Sequence, residues 1–240
     1  MLGEFGRRIV EARIKRAYDT LLGSRFDKAG MKAMGELLNI YYYDMGLKGG
    51  TWRNTSWCGT PALKCPLDLW IYQEIIHEAE PDIIIETGTH KGGTTLFLAN
   101  VCDILKRGRI VSVDVEVLPG RPEHTRISYV TGSSVSEDVV AGIRSGVRPG
   151  ERVLVILDSD HRAQHVLAEL QAYGALVTPG SYMIVEDTNV NGHPVRPEFG
   201  PGPTEAIDRF LSANGGFVVE EKWEKFILTF NPRGYLRRTA

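Results

Sequence analysis

The sequence predicts an α/β protein whose mostly parallel, doubly wound sheet has seven strands and ends in an antiparallel hairpin. Short aliphatic runs without alternating polarity recur along the chain and are typical of strands buried on both faces. Stretches with helical spacing separate these runs, as in a parallel α/β sheet. Near the C-terminus, two further runs follow each other with a very short connection, which favours an antiparallel pair. A chain of 240 residues suits one such domain.

The first part of the chain predicts a helix followed by an irregular cap. The segment MLGEFGRRIVEARIKRAYDTLL mixes charged and apolar residues at helical spacing, so we expect a helix with a solvated face. From about Ile40 to Lys64 the chain is rich in Gly, Tyr and Trp, which indicates an irregular cap. The next helix is predicted in CPLDLWIYQEIIHEAEP and ends at Pro81. We therefore divide the chain into a cap, residues 1–65, and an α/β domain, residues 66–240.

The main sheet is predicted from seven runs. The parallel strands are DIIIE, RIVSVD, RISYV, RVLVILD and SYMIVED, and the closing hairpin pairs GFVVEEKW with KFILTF. Helices are predicted at Gly93 to Lys106, Val135 to Ser145, Ala163 to Tyr173 and Thr204 to Ala213. The segment from Asn191 to Pro203 is rich in Pro and Gly, so we expect a loop that forms a lid over the carboxyl edge of the sheet.

Composition argues against several classes of protein. A net charge of −2 with scattered basic residues gives no sign of a nucleic-acid surface. No segment approaches the roughly 20 apolar residues that span a bilayer. The three cysteines, Cys58, Cys65 and Cys102, show no CxxC spacing, so neither a disulfide framework nor a zinc site is indicated. We expect a cytoplasmic protein with reduced thiols.

The stretch from Ile83 to Thr95 predicts a strand that leads into a ligand-binding turn. Gly88 lets the chain turn, and Gly92 lets a ligand approach the next helix, but the run lacks the GxGxxG spacing of a pyrophosphate loop. Glu86 precedes the turn, and Asp114 ends the next strand, where an acid can bind a ribose diol. These features favour S-adenosylmethionine, which has a ribose and no phosphate. The alternative is that both acids only cap the segments that follow them.

Acidic residues lie at the ends of two further strands. The fourth strand ends in LDSDH, with Asp158 and Asp160, and the fifth ends in VEDT, with Glu186 and Asp187. If those strands are neighbours, their ends lie about 5 Å apart, and two unit charges about 4 Å apart repel by about 4 kcal/mol at an effective dielectric constant of about 20. A hard divalent cation would remove this cost. Helix capping by the aspartates and shared protons remain as alternatives.

Three histidines lie in segments that follow predicted strands. His161 follows the first pair of acids and is a candidate base for a substrate hydroxyl, although a histidine at this position is also often an ordinary surface residue. His165 lies one helical turn later and is its neighbour or its competitor for that role. His90 lies in the glycine turn, where we expect it to orient the loop.

The motifs PLDLWIYQEII, IIETGTHKGGTTLFLA, LDSDH and IVEDT resemble the cephalosporin hydroxylase family, which includes rhamnosyl O-methyltransferases. The resemblance covers about Leu63 to Phe230 and implies a Rossmann-like class I methyltransferase fold in the predicted domain. It implies S-adenosylmethionine and a divalent metal, Mg²⁺ or Mn²⁺, as cofactors. The implied metal ligands are Asp158, Glu186 and Asp187, with His161 as the histidine that follows the first of them. The implied cofactor site comprises Glu86, Gly88, Thr89, Gly92, Asp114, Ser133, Ser134 and Asp158.

The sequence therefore predicts a metal-dependent O-methyltransferase that acts on a hydroxyl of a sugar, or of another natural-product small molecule. Asp160 is then an additional acid near the ligands, and aromatic residues near Trp52, Trp57 and Tyr182 would wall the acceptor pocket or pack in the core. One alternative is a hydroxylase, although no H-x-D or H-x-E motif occurs. Another is an accessory protein that binds the cofactor without catalysis. We also expect the chain to form a homo-oligomer.

Overall fold

The computed structural model describes residues 4–23, 28–44 and 51–240. Within these ranges the strands are β1 (Ser56–Trp57), β2 (Thr60–Pro61), β3 (Ile83–Thr87), β4 (Arg109–Asp114), β5 (Ile127–Thr131), β6 (Val153–Leu157), β7 (Tyr182–Val185), β8 (Phe217–Val219) and β9 (Tyr235–Arg238). The helices are α1 (Glu4–Gly23), α2 (Lys28–Asn39), α3 (Pro66–Ala79), α4 (Gly93–Ile104), α5 (Glu137–Gly146), α6 (Ala163–Gly174) and α7 (Pro203–Ala213). Short π and 3-10 segments cover Ile40–Asp44, Thr51–Asn54 and Glu221–Glu224.

Strands β3 to β9 form one sheet in the order β5-β4-β3-β6-β7-β9-β8. The first five strands in this order are parallel, and β9 runs antiparallel to both β7 and β8. The predicted fold class is confirmed, and the five parallel strands and the helices after β3 match their predicted bounds to within one or two residues. The strand order reverses between β3 and β6, and ligands bind at this point in such sheets.

Helices cover both faces of the sheet, so the aliphatic strands are buried on both sides. Ile83 and Ile85 of β3 face the layer that contains α5, α6 and α7, whereas Ile84 faces α3 and α4. All three side chains are at most 1% exposed. Burial on both faces explains why the strands lack an alternation of polar and apolar residues.

The N-terminal cap contains a helix that the sequence analysis did not predict. Helix α2 packs against α1 although its segment contains glycines, which lower helix propensity. Gly35 is needed there, because a Cβ would lie 2.8 Å from the carbonyl oxygen of Ile227. Residues 1–3 and 45–50, which belong to the predicted first helix and irregular cap, lie outside the described residues. The division of the chain at residue 65 stays a prediction.

The antiparallel hairpin exists, but the predicted second strand was wrong. The partner of β8 is β9 (Tyr235–Arg238), with Val219 opposite Leu236, and not the segment KFILTF. In that segment Leu228 and Phe230 pack instead with Cys65 and aromatic side chains of the cap. That apolar cluster buries both side chains, so their burial does not depend on pairing in the sheet.

The segment from Asn191 to Pro203 forms a loop up to the start of α7, as predicted. The loop is tied to the cap: Arg13 Nη1 donates to the carbonyl of Pro194 at 2.6 Å, and the backbone N–H of Arg196 donates to Asp44. Its role as a lid stays a prediction. Across the described ranges, no helix combines the length and apolar character needed to cross a membrane.

Candidate active site

Glu86 and Gly88 bring the end of β3 against the end of β6. The Glu86 side chain is 1% exposed, and Thr95 Oγ1 and Ser112 Oγ donate to its Oε2 at 2.5 and 2.6 Å. Burial raises the pKa of Glu86 to about 7, although these hydrogen bonds oppose the shift. At Gly88, where φ is +86°, a Cβ would lie 1.9 Å from the carbonyl oxygen of Asp158. Only glycine fits this turn.

The rest of the turn leads directly into α4. Thr89 is buried, and its Oγ1 lies 2.7 Å from Ser112 Oγ. Gly92, with φ of +82°, is the N-cap of α4 and has no side chain to occupy the helix N-terminus. A Cβ on Gly93 would collide with the carbonyl of Pro61. Because these glycines have no side chains, other groups can approach the backbone at the start of α4 closely.

Asp114 ends β4, as predicted, and braces the loops around it. Its Oδ2 accepts the backbone N–H of His90 at 2.7 Å and lies 3.2 Å from Arg121 Nη2. Its Oδ1 accepts the backbone N–H of Glu116. His90 lies in the turn at φ of +45°, and its orienting role stays a prediction. The Oδ1 atom has a second lone pair, so it can accept a further hydrogen bond.

The loop after β5 meets α6 through a buried polar group. Ser134 is 5% exposed, and its Oγ lies 3.1 Å from His165 Nε2. The same nitrogen lies 3.1 Å from Ser159 Oγ and 3.5 Å from the fully buried Glu169. Ser133 precedes this group and accepts at its carbonyl from Ser136 Oγ. His165 thus links the loops that follow β5 and β6, away from the acidic residues beside His161.

The carboxylates of Asp158, Glu186 and Asp187 meet at the ends of the neighbouring strands β6 and β7. Lys64, from the segment before α3, reaches the first two of them. Its Nζ donates to Asp158 Oδ2 at 2.5 Å and to Glu186 Oε2. Burial raises the pKa values of both acids, whereas the Lys64 charge lowers them. Glu186 Oε1 is buried and has no hydrogen-bond partner among the residues that the structure describes.

His161 lies on the opposite side of this acidic group. Its Nε2 is 3.3 Å from Asp187 Oδ2 and 3.9 Å from Asp158 Oδ1. The Tyr43 hydroxyl donates to the same Asp187 oxygen at 3.4 Å, and burial raises the pKa of Tyr43. The His161 side chain is 23% exposed, so solvent or a substrate can reach it.

Asp160 turns away from the acidic group. Its Oδ1 accepts the backbone N–H of Arg162, and its Oδ2 pairs with the guanidinium of the same residue, both at 3.0 Å. It therefore stabilises the turn before α6, and the predicted metal ligands remain Asp158, Glu186 and Asp187.

These three carboxylates fit a divalent cation as a donor set. They supply only oxygen atoms, which suit Mg²⁺ or Mn²⁺, and the unpartnered Glu186 Oε1 is a free buried acceptor. Among the described residues, no three His, Cys, Asp or Glu side chains are already arranged around a metal position. The Lys64 ammonium bridges two of the carboxylates, Asp158 and Glu186.

The sequence analysis missed Lys64 and Tyr43 as site residues. Lys64 follows a loop and precedes a predicted helix start, a position with no motif or spacing that marks a buried lysine. Tyr43 lies in the irregular cap, where its ring stacks on Trp52 at 5.2 Å between ring centroids and meets Phe230 edge-on.

The predicted aromatic residues divide between site and core. Trp52 belongs to the cluster around Tyr43, close to the acidic group. Trp57 instead packs against Phe97, and Tyr182 is fully buried in the core between the sheet and α3.

Comparison with known proteins places the chain in a family. Residues 49–239 match the family model described as Rhamnosyl O-methyltransferase/CmcI. The rhamnosyl O-methyltransferase of Mycobacterium leprae (strain TN) is 40% identical over 196 residues, which are 78% of this chain and 84% of the relative. That of Mycobacterium bovis (strain BCG / Pasteur 1173P2) is 37% identical over 214 residues, which are 86% and 85% of the two chains.

The fold agrees with this comparison. A solved structure of CmcI with Mg and SAM superposes with a TM-score of 0.62 at 19% sequence identity, over 81% of each chain. The protein thus has the fold of the class I methyltransferases. It belongs to the rhamnosyl O-methyltransferase/CmcI family, which confirms the predicted family and the predicted class of enzyme.

Proposed function

We propose that this protein transfers the methyl group of S-adenosylmethionine to a hydroxyl of a rhamnosyl-like sugar, with a divalent cation in the site. One observation carries the proposal: Asp158, Glu186, Asp187 and His161 meet at the ends of β6 and β7, next to the switch point of the sheet and the glycine turn after β3. The names of the M. leprae and M. bovis relatives support the sugar as acceptor.

The glycine turn and the strand ends beside it would hold the cofactor. Glu86 is a buried carboxylate near the turn and suits the ammonium of the methionine part, and Asp114 suits the ribose diol. Ser133 and Ser134 lie in the loop after β5, where the adenine would contact the chain. Asp158 would contact both the cofactor and the metal; its carbonyl closely approaches Gly88, and its carboxylate faces Lys64.

Asp158, Glu186 and Asp187 would hold Mg²⁺ or Mn²⁺. When bound, such a cation lowers the pKa of a substrate hydroxyl and neutralises the acidic group. The chain itself supplies the base. His161 Nε2 faces the acidic group at 3.3 Å from Asp187 and would take the hydroxyl proton as the oxygen attacks the methyl carbon and S-adenosylhomocysteine leaves.

Tyr43 and Trp52 would form the acceptor side of the site. They stack beside Asp187 and next to Phe230, and they present aromatic surface near the acidic group. A sugar offers apolar C–H faces to such rings and hydroxyls to the acids. In this arrangement the cap contributes to acceptor selection.

Labelled S-adenosylmethionine tests this proposal directly. The protein would be incubated with Mg²⁺, the labelled cofactor and two matched sets of acceptors, rhamnosides and the same aglycones without sugar. We expect label only on the rhamnosides, with a mass gain of one methyl group. Tight cofactor binding without transfer to any acceptor would favour an accessory protein and contradict the proposal.

A further inference from the structure

Lys64 is a charged residue whose side chain is buried in the fold. It is 4% exposed and is the one lysine or arginine among the buried side chains that the structure describes. Its backbone is fixed as well, because its N–H donates to Thr55 Oγ1 at 2.8 Å. A buried ammonium is stable only where carboxylates compensate its charge, and those carboxylates here belong to the site.

Lys64 contacts two of the three proposed metal ligands. Its Nζ bonds to Asp158 Oδ2 and Glu186 Oε2, whereas Asp187 bonds to Tyr43 and pairs with His161. A divalent cation bound by the same two oxygens would stand next to the ammonium, and the two positive charges would repel each other strongly. The ammonium and a divalent cation bound through these two oxygens therefore exclude each other from this position.

We propose that the Lys64 ammonium occupies the cation position between Asp158 and Glu186 in the metal-free protein and gives way when a divalent cation binds. This inference rests on the metal site of the proposed function. In the metal-free protein Lys64 then acts as a positioning residue that keeps the two carboxylates together. Asp68 and Glu86 are also buried and interact electrostatically with Lys64, so acidic side chains outside the proposed metal ligands lie near the ammonium.

The exchange predicts opposite effects of Lys64 on stability and on metal affinity. Lys64→Met removes the competing charge, so we expect Mn²⁺ to bind roughly tenfold more tightly than to the wild type. Without metal the same variant should melt at a lower temperature, because Asp158 and Glu186 lose their counter-charge, and Mn²⁺ should restore the melting temperature. Titration calorimetry with Mn²⁺ and thermal unfolding measure both effects.

Two further variants serve as controls. Lys225→Met removes the same charge from the exposed pair with Glu74 and should leave Mn²⁺ affinity unchanged. Lys64→Arg keeps a cation and should not bind Mn²⁺ more tightly than the wild type.

Several results would overturn the exchange. Equal or weaker Mn²⁺ binding by Lys64→Met would do so, as would a Lys64→Met chain that stays unfolded at saturating Mn²⁺. If the wild type and Lys64→Met both bind no Mn²⁺, the metal site of the proposed function fails with it. If the wild type binds Mn²⁺ and Lys64→Met binds it with equal affinity, only the exchange fails.

Discussion

His161 and His165 are four positions apart in the chain, and their surroundings separate their roles. His161 faces Asp187 and Asp158, whereas His165 is held by Ser134, Ser159 and Glu169. A base must lie within reach of the proton that it accepts, and only the first histidine faces the proposed acceptor position. Sequence spacing alone left both histidines as candidates for the base.

Replacement of these histidines should have different kinetic effects. For His161→Gln we expect kcat to fall by about 10²- to 10⁴-fold with unchanged affinity for S-adenosylhomocysteine. For His165→Gln we expect weaker binding of S-adenosylhomocysteine and a smaller change in kcat, because it supports Ser134 in the loop after β5. Steady-state kinetics and calorimetry distinguish the two, and the reverse pattern would assign the base to His165.

At the scale of single elements, the turn after β3 depends on Gly88. Gly88→Ala places a Cβ against the carbonyl of Asp158 in a left-handed conformation, so we expect a loss of about 2 to 5 kcal/mol in the free energy of unfolding. Urea denaturation measures this loss in the free energy of unfolding.

Gly180→Ala is the matched control, because Gly180 has a φ of +82° and nothing lies within 4 Å of its added Cβ. It should cost only about 1 kcal/mol. Equal losses in the two variants would show that the approach of β3 to β6 is not the constraint.

The start of α7 is joined to the preceding loop by Glu205. Its carboxylate accepts hydrogen bonds from His193, from the backbone N–H of Gly202 and from Asn191. Burial opposes ionisation, but these bonds dominate and lower the pKa of Glu205 from 4.5 to about 2. Because the folded-state pKa is depressed, the carboxylate stabilises the fold above about pH 4.5, and this contribution is lost as the pH falls towards about 2.

Glu205→Gln should therefore lower the free energy of unfolding at neutral pH by about 1 to 3 kcal/mol. The difference from the wild type should shrink as the pH falls from about 4.5 towards 2. Urea denaturation at a series of pH values measures this difference. Glu198→Gln, in an exposed pair with Arg196, should change little, and a difference for Glu205→Gln that does not depend on pH would contradict the assignment.

At the scale of the whole molecule, the sheet and its ligand-binding edge could be predicted because the signals are local. Aliphatic runs mark strands buried on both faces, and acids that follow neighbouring strands must meet at one edge. The features that the sequence analysis missed depend on contacts between distant segments. Helix α2 relies on the close approach of Gly35 to Ile227, and Leu228 and Phe230 leave the sheet to pack against the cap.

Lys64 shows the same limit within the site. Its partners follow it by 94 and 122 positions in the chain, so no local pattern joins them. The meeting of Asp158, Glu186 and Asp187 was predictable because these residues share one sheet edge, whereas the residue that compensates two of them comes from the segment before α3. Segments that are far apart in the chain thus meet at the acidic group.

Methyl transfer by this protein should depend on a divalent cation held by Asp158, Glu186 and Asp187. Initial rates on a rhamnoside acceptor would be measured after exhaustive chelation and then against increasing free Mg²⁺, for the wild type and Asp187→Ala. The account predicts no transfer after chelation, saturable recovery in the wild type, and no recovery in Asp187→Ala despite normal affinity for S-adenosylmethionine. Full transfer by the chelated wild type, or normal turnover by Asp187→Ala, would contradict it.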